Sequence, residues 1–362
     1  MNLLAEEIAS IIAQEGPISV ERYMSLCLSH PTLGYYMTRD PFGAAGDFVT
    51  SPEISQMFGE LVGLWCAEAW TLAGSPQPAR LVELGPGRGA LMADALRAAR
   101  VARNFSETLD VFMVETSRKL AAAQKQKLAN VERPVSWIES IEHLPPGPAI
   151  VVANEFFDAL PVRHYVNTPE GWRERQVGLA GDRFVFGAAP EPEPYLQVEA
   201  PPGALLEIAA VSQQIMTRLA ARIVKYGGAL LVIDYGHTQT ILGETLQAMR
   251  DHTFVDPLEN PGEADLTAHV DFAALARAAK STGAHVHGPV TQGAFLRQIG
   301  IERRADALMR NATIPQQMEI RSSLNRLTSE DKLTDMGRLF KAIAVTRSNV
   351  PALPGFLQEQ TA

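Results

Sequence analysis

The run Leu84-Gly85-Pro86-Gly87-Arg88-Gly89 is the clearest chemical feature of this sequence. It follows the buried-strand pattern Leu81-Val82-Glu83-Leu84 and precedes an alanine-rich stretch, so it reads as a strand passing through a tight turn into a helix. Glycines there let the backbone approach a ligand closely, and the helix start offers unpaired amide donors. A plain strand-to-helix turn is the alternative; three glycines in five positions weigh against it. Read as GxGxxA, Gly85, Gly87 and Ala90 also suit a dinucleotide fingerprint, so the turn alone does not choose a cofactor.

A second acid-bearing segment, Val111-Phe112-Met113-Val114-Glu115, places a carboxylate at the end of the next apolar run. In nucleotide-binding βαβ units such an acid accepts hydrogen bonds from ribose hydroxyls. A solvated strand-end glutamate is the plainer reading. Trp137 and Ile138, closing a third run, suit either an adenine sandwich or the core.

The third segment, Asn154-Glu155-Phe156-Phe157-Asp158-Ala159-Leu160-Pro161, follows the fourth run, at the sheet edge where α/β proteins place ligands. Two carboxylates beside two rings would hold a cationic planar group. If the segment is helical, Glu155 and Asp158 share a face; an acidic first turn favoured by the helix dipole is the competing explanation. In Gly46-Asp47-Phe48-Val49-Thr50-Ser51-Pro52-Glu53, Ser51 is expected to cap a helix with Pro52 in its first position, and the loop to fold over the cofactor. Asp234-Tyr235-Gly236-His237 is a further edge segment. The eight histidines gather no further His, Cys or acid into a metal-site pattern, so no metal is expected. His285 and His287 are expected on one face of a strand.

These residues need a scaffold that brings strand ends together. Short apolar runs at 81–84, 111–114, 135–138, 149–153 and 230–233 alternate with helix-like stretches, the pattern of a mostly parallel sheet covered on both faces. Late runs at 285–290 and 340–345 are expected to complete it. Residues 1–75 read as an N-terminal helical region with helices at 20–28 and 54–72, and 76–350 as the sheet domain, followed by a tail at 351–362. An inserted β-meander at 162–198, with strands at 163–166, 172–177 and 184–186, interrupts the sheet, and 190–202 reads as a proline-rich connector. A helix at 272–281 follows a Gly/Pro-bearing loop.

The 46% hydrophobic content supports a substantial core, and the net charge of −9 argues against a nucleic-acid partner. The two cysteines, Cys27 and Cys66, form neither a disulfide framework nor a zinc site. No segment reads as a signal peptide or as a membrane span. A reducing bacterial cytoplasm is expected.

The phrases GYYMTRDPFGAAGDFVTSPEISQMFGE, VELGPGRG, NEFFDALPVR, DYGH and ADLTAHVDF resemble, in order and wording, the MidA family of methyltransferases. The resemblance runs from about residue 17 to about 345. It implies a class I methyltransferase sheet, Rossmann-like and mostly parallel, with S-adenosyl-L-methionine as cofactor. For the family's mitochondrial member it implies an arginine of a core complex I subunit as substrate, methylated in the matrix. Carried over by position, Gly85, Gly87 and Gly89 meet the methionine end of the cofactor and Glu115 its ribose. Glu83, Pro86, Trp137, Ile138, Asn154 and Ser51 complete the expected cofactor set, while Glu155 and Asp158 lie near the acceptor as the catalytic pair. His269 departs from the acid expected in the ADLTADVDF phrase. Two rivals stand beside this reading: an NAD-dependent oxidoreductase, resting on the GxGxxA match, and a non-catalytic assembly protein that keeps the sheet as a scaffold.

Overall fold

The computed structural model describes residues 2–39 and 49–357. The chain divides into two compact units, one of residues 1–48, 158–214 and 239–271, the other of 49–157, 215–238 and 272–362.

The second unit is built on the seven strands that form the continuous path of an eight-stranded sheet, in chain order β1 (Ala79–Leu84), β2 (Leu109–Val114), β3 (Val135–Ile138), β4 (Ala149–Asn154), β5 (Gly228–His237), β6 (His285–Thr291) and β7 (Phe340–Thr346). Their order across the sheet is β6-β7-β5-β4-β1-β2-β3. β1 to β5 pair in parallel, whereas β7 runs antiparallel to both neighbours. The chain leaves β1 toward β2 and β3, then returns to place β4 on the other side of β1. That reversal opens a crevice beyond the carboxyl ends of β1 and β4, the position where open α/β sheets bind ligands. The expected Rossmann-like fold class is therefore realised, with each apolar run becoming a strand.

Burial on both faces explains the near-continuous apolar character of these strands: every residue of β4 is buried. Helix Gln56–Leu72 packs on helix Ala90–Ala99 through two glycines. A Cβ at Gly63 would stand 2.5 Å from the Ala95 backbone, and one at Gly59 2.7 Å from Asp94 Cβ, so neither position accepts a side chain at this spacing. The expected single helix over 54–72 is interrupted at Ser55, whose extended backbone and hydroxyl cap the second piece through Met57 N. Between β6 and β7 four helices intervene, the longest being Ile314–Thr328, which starts on a Thr313–Gln316 capping box.

The first unit holds helices Leu3–Glu15 and Val20–Ser29 and an antiparallel sheet containing Arg163–Thr168, Gly171–Ala180, Arg183–Pro192 and Leu205–Ile208. The strands of the meander are longer than their sequence patterns suggested. Arg183–Pro192 runs into the expected connector because it pairs only with Gly171–Ala180, and prolines are tolerated on such an edge. The stretch expected as a Gly/Pro loop contains a small sheet of Gln247–Arg250, Thr253–Val255 and Asp265–Thr267. Leu4, Ile8, Tyr23, Met24, Val177 and Leu266 belong to this unit's core.

Candidate functional site

At the end of β1 the chain enters three left-handed glycines, Gly85, Gly87 and Gly89, with φ of 57°, 50° and 80°. L-residues rarely adopt this region, so the turn depends on glycine. Gly85 N donates to Val114 O at 3.1 Å and Gly89 N to Pro86 O at 2.7 Å. Gly89 then occupies the N-cap position of helix Ala90–Ala99 and has no side chain to cap the leading amides, of which Met92 N–H faces the Glu83 carboxylate. A Cβ at Gly85 would also come 2.9 Å from the Phe156 ring, tying this position to the segment after β4.

Glu115 sits just past β2, its N–H donating to Ile138 O at 2.9 Å. Its carboxylate accepts from Ser117 N at 2.7 Å and from the Gln124 amide at 3.0 Å. Burial raises its pKa, and these hydrogen bonds pull it back. The same Gln124 amide nitrogen donates to Gly87 O at 2.8 Å, and its oxygen accepts from Trp137 Nε1 at 2.9 Å. Trp137 is thus engaged at its indole N–H, and Lys125 Nζ lies over its ring, 5.2 Å from the centroid. Gln124 was absent from the expected set. Its signal was a polar residue on the buried stripe Leu120, Gln124, Leu128 of helix Arg118–Lys127 and the turn after it.

The segment after β4 is not helical, so the shared helical face expected for Glu155 and Asp158 and the dipole-favoured first turn both fall away. Glu155 instead adopts φ 49°, uncommon for a side-chain-bearing residue, with its N–H on Ile233 O at 2.9 Å. Its carboxylate accepts from Ser51 N at 2.9 Å and Asn154 Nδ2 at 3.0 Å. Ser51 is not the expected cap: Thr50 holds the N-cap position of helix Ser51–Ile54, and Ser51 lies inside it. The Gly46–Phe48 part of that loop lies outside the described residues. Asp234, fully buried at the end of β5, accepts the N–H groups of Phe156 and Phe157, whose rings meet edge to face at 5.3 Å.

Glu83 is buried inside β1, and burial pushes its carboxyl to about 8; the Met92 N–H opposes this rise and Glu115 adds to it. Glu83 Oε2, Asn154 Oδ1 and Ser51 Oγ are buried and find no hydrogen-bond partner among the described residues.

Asp158 belongs to the first unit, where its carbonyl accepts Ala268 N at 3.0 Å. Tyr36 in that unit donates to Asp265 Oδ1 at 2.8 Å, and burial, then Asp265 and Asp158, hold its phenol well above 10. His269 engages Thr245 Oγ1 through its backbone N–H at 2.9 Å, a contact any residue type makes. Among the described residues no group of three or more His, Cys, Asp or Glu is placed to hold a metal ion.

A glycine turn, an acid just past the end of the neighbouring strand and a switch-point crevice on this strand order define a class I methyltransferase sheet. Residues 61–290 match the family described as "Putative S-adenosyl-L-methionine-dependent methyltransferase". Two curated relatives are the mitochondrial protein arginine methyltransferase NDUFAF7 of Danio rerio, 36% identical over 95% of this chain and 87% of its own, and its homolog in Drosophila melanogaster, 38% identical over 94% and 84%. A Burkholderia thailandensis protein solved bound to S-adenosyl-homocysteine superposes with a TM-score of 0.84 at 28% identity, over 98% of this chain and 94% of that one. The chain belongs to this family of S-adenosyl-L-methionine-dependent methyltransferases, the MidA family of its sequence phrases. The dinucleotide reading of Gly85 to Ala90 thereby loses its ground.

The residues present fit the cofactor. Buried polar atoms of Glu83, Asn154 and Ser51 that have no hydrogen-bond partner among the described residues suit a ligand that carries an ammonium, a carboxylate and hydroxyls. The helix start after Gly89, which has no side chain of its own to cap it, and the held carboxylate of Glu115 supply donors and an acceptor of the matching kinds.

Proposed function

We propose that this chain transfers a methyl group from S-adenosyl-L-methionine to an arginine of a partner protein, with a core subunit of respiratory complex I as the acceptor and the bacterial cytoplasm as the setting. The observation that carries the cofactor half is a left-handed glycine turn at the sheet's switch point, with buried polar atoms of Glu83, Asn154 and Ser51 that have no hydrogen-bond partner among the described residues. The relatives' names, protein arginine methyltransferase, support arginine in a protein as the acceptor, and the complex I subunit rests on the family resemblance of the sequence phrases.

The cofactor, when bound, supplies an electrophilic methyl on a sulfonium. We assign Gly85, Pro86, Gly87 and Gly89 to its methionine end with Glu83, Asn154 and Ser51, Glu115 to the ribose, and Trp137 and Ile138 to the adenine side. That methyl would pass to a guanidinium nitrogen, leaving S-adenosyl-homocysteine, and the proton shed by the nitrogen would go to solvent. An arginine side chain, with a pKa above about 12 and a delocalised lone pair, is a poor nucleophile, so orientation carries much of the work. To Glu155 and Asp158 we assign that orientation, on their place just after β4 and on the NEFFDALP phrase. The β-meander is assigned to acceptor selection.

The test is incubation with labelled S-adenosyl-L-methionine and a host-cell extract, followed by mass spectrometry of labelled peptides. Label on an arginine supports the reading. Label on another residue type overturns the acceptor, and no transfer with normal cofactor binding favours the non-catalytic assembly role.

A further inference from the structure

We propose that Gln124 is the positioning residue that sets cofactor affinity, by holding three strand ends in one arrangement through a single amide; this rests on the cofactor site proposed above. Gly87 follows β1, Glu115 follows β2 and Trp137 lies on β3, and Gln124 hydrogen-bonds all three, at 2.8, 3.0 and 2.9 Å. The side chain is fully buried, so water does not compete for these bonds.

The orientation of the amide follows from chemistry. An indole N–H only donates, so the Gln124 oxygen must face Trp137. The NH₂ group then faces Gly87 O and the Glu115 carboxylate, both acceptors, with one N–H for each. No other uncharged side chain of this length offers one acceptor and two donors. Lysine or arginine would supply donors but would neutralise Glu115. The amide fixes the carboxylate while leaving its charge available to hydroxyl donors. Losing the amide leaves the Glu115 carboxylate held from one side, through Ser117 N, and frees the Gly87 carbonyl, the two groups assigned to the ribose and to the methionine end.

Gln124→Met keeps the length and removes every hydrogen bond. Gln124→Glu keeps the size and the bond from Trp137 but sets a second carboxylate beside Glu115. S-adenosyl-homocysteine affinity by calorimetry is the readout, with ligand-free thermal unfolding measured on the same samples. Gln124→Met is expected to weaken binding roughly ten- to a hundredfold, and Gln124→Glu to weaken it further despite its closer fit. In a Glu115→Ala background Gln124→Met should cost less than in the wild type, about threefold, because the share of its effect that passes through Glu115 is already lost and only the Gly87 and Trp137 bonds remain. Trp137→Phe, which frees the amide to rotate, keeps the test open if a Gln124 variant fails to fold; its expected loss is about threefold.

Additive losses in the Glu115→Ala background would overturn the inference and leave Gln124 a packing residue, as would Gln124→Glu binding better than Gln124→Met. Wild-type affinity in Gln124→Met, or in Trp137→Phe where Gln124→Met does not fold, overturns it also. A wild-type protein that binds no S-adenosyl-homocysteine overturns the site proposal itself, and this inference with it.

Discussion

The carboxylate of Asp234 accepts the backbone N–H of Phe157 at 2.9 Å, and with Phe156 N at 3.2 Å and Tyr235 N at 2.9 Å it holds the turn after β4 from the end of β5. The left-handed Glu155 lies in that turn, so its unusual φ is held in place from a neighbouring strand. Replacing Asp234 with Ala removes the acceptor of all three amides. A buried donor left unpaired costs about 1–3 kcal/mol, so Asp234→Ala should destabilise by about 3 kcal/mol or more. Asp234→Asn, which keeps one carbonyl oxygen, should cost less. Urea unfolding of both variants checks this, and wild-type stability in Asp234→Ala would remove the pinning role.

Gly87→Val places a β-branched side chain at φ 50°. The left-handed conformation costs such a residue about 1–2 kcal/mol, a loss the fold should survive. Cofactor binding should fall far more, since the added methyls occupy the space that the glycine leaves to the ligand. Circular dichroism and S-adenosyl-homocysteine titration on one preparation separate the two effects. Native-like affinity would show that the turn is not the cofactor site.

The strands, the glycine turn and Glu115 were legible because each depends on local pattern: an apolar run, a left-handed turn, an acid at a strand end. Gln124 was less so. Its neighbours Lys125, Gln126 and Lys127 share its polarity, and only the period of Leu120 and Leu128 marks it as buried. The conformation of Glu155 was not legible, since the pattern of its segment suits a helix start and the alternative depends on Asp234, far away in sequence. Nor was the sharing of residues 1–75 between two units, with Gln56–Leu72 packed on the sheet unit's Ala90–Ala99, because that choice lies in long-range packing. Ser51 illustrates the limit of capping rules: Pro52 fixed the helix start within a residue, but Thr50 took the extended backbone that defines the cap.

Glu83 makes stability depend on pH. Its carboxyl titrates near 4.5 when unfolded and at about 8 when folded, so between these values the folded state holds a proton that the unfolded state lacks. Stability from this group is fully present below about pH 4.5 and is lost as pH rises through 8. Glu115, raised by burial, adds the same sign. Glu83 should therefore take stability from the ligand-free protein between about pH 5 and 8, by at most about 1.4 kcal/mol per pH unit; His287, which burial lowers to about 4, gives the opposite slope below about pH 6.5, so the net loss is expected above that, and Glu83→Gln should flatten it. Urea unfolding across a pH series decides it; identical slopes in variant and wild type would mean that Glu83 does not titrate in this window.

Glu155→Gln and Asp158→Asn test the acceptor assignment. The Glu155 oxygen that accepts Ser51 N and Asn154 Nδ2 survives as the amide oxygen of glutamine, so the variant should keep the turn and lose only charge. If the carboxylate holds a guanidinium, the lost charge-assisted bond is worth about 1.5–3 kcal/mol, or roughly one to two decades in turnover where the contact is made mainly in the transition state. S-adenosyl-homocysteine affinity should change little. A purely architectural Glu155 gives the reverse: turnover near wild type and a shift of about 1 kcal/mol in unfolding, because a neutral acceptor holds the Ser51 amide less strongly than a charged one. Asp158 separates from it in the same assay, since its main-chain bond from Ala268 N is untouched by the substitution and any effect must come from the side chain. Reduced transfer in both variants with unchanged unfolding supports the paired role. Reduced transfer in Glu155→Gln alone would assign guanidinium orientation to the β4 turn and leave Asp158 to the Tyr36 and Asp265 cluster of its own unit.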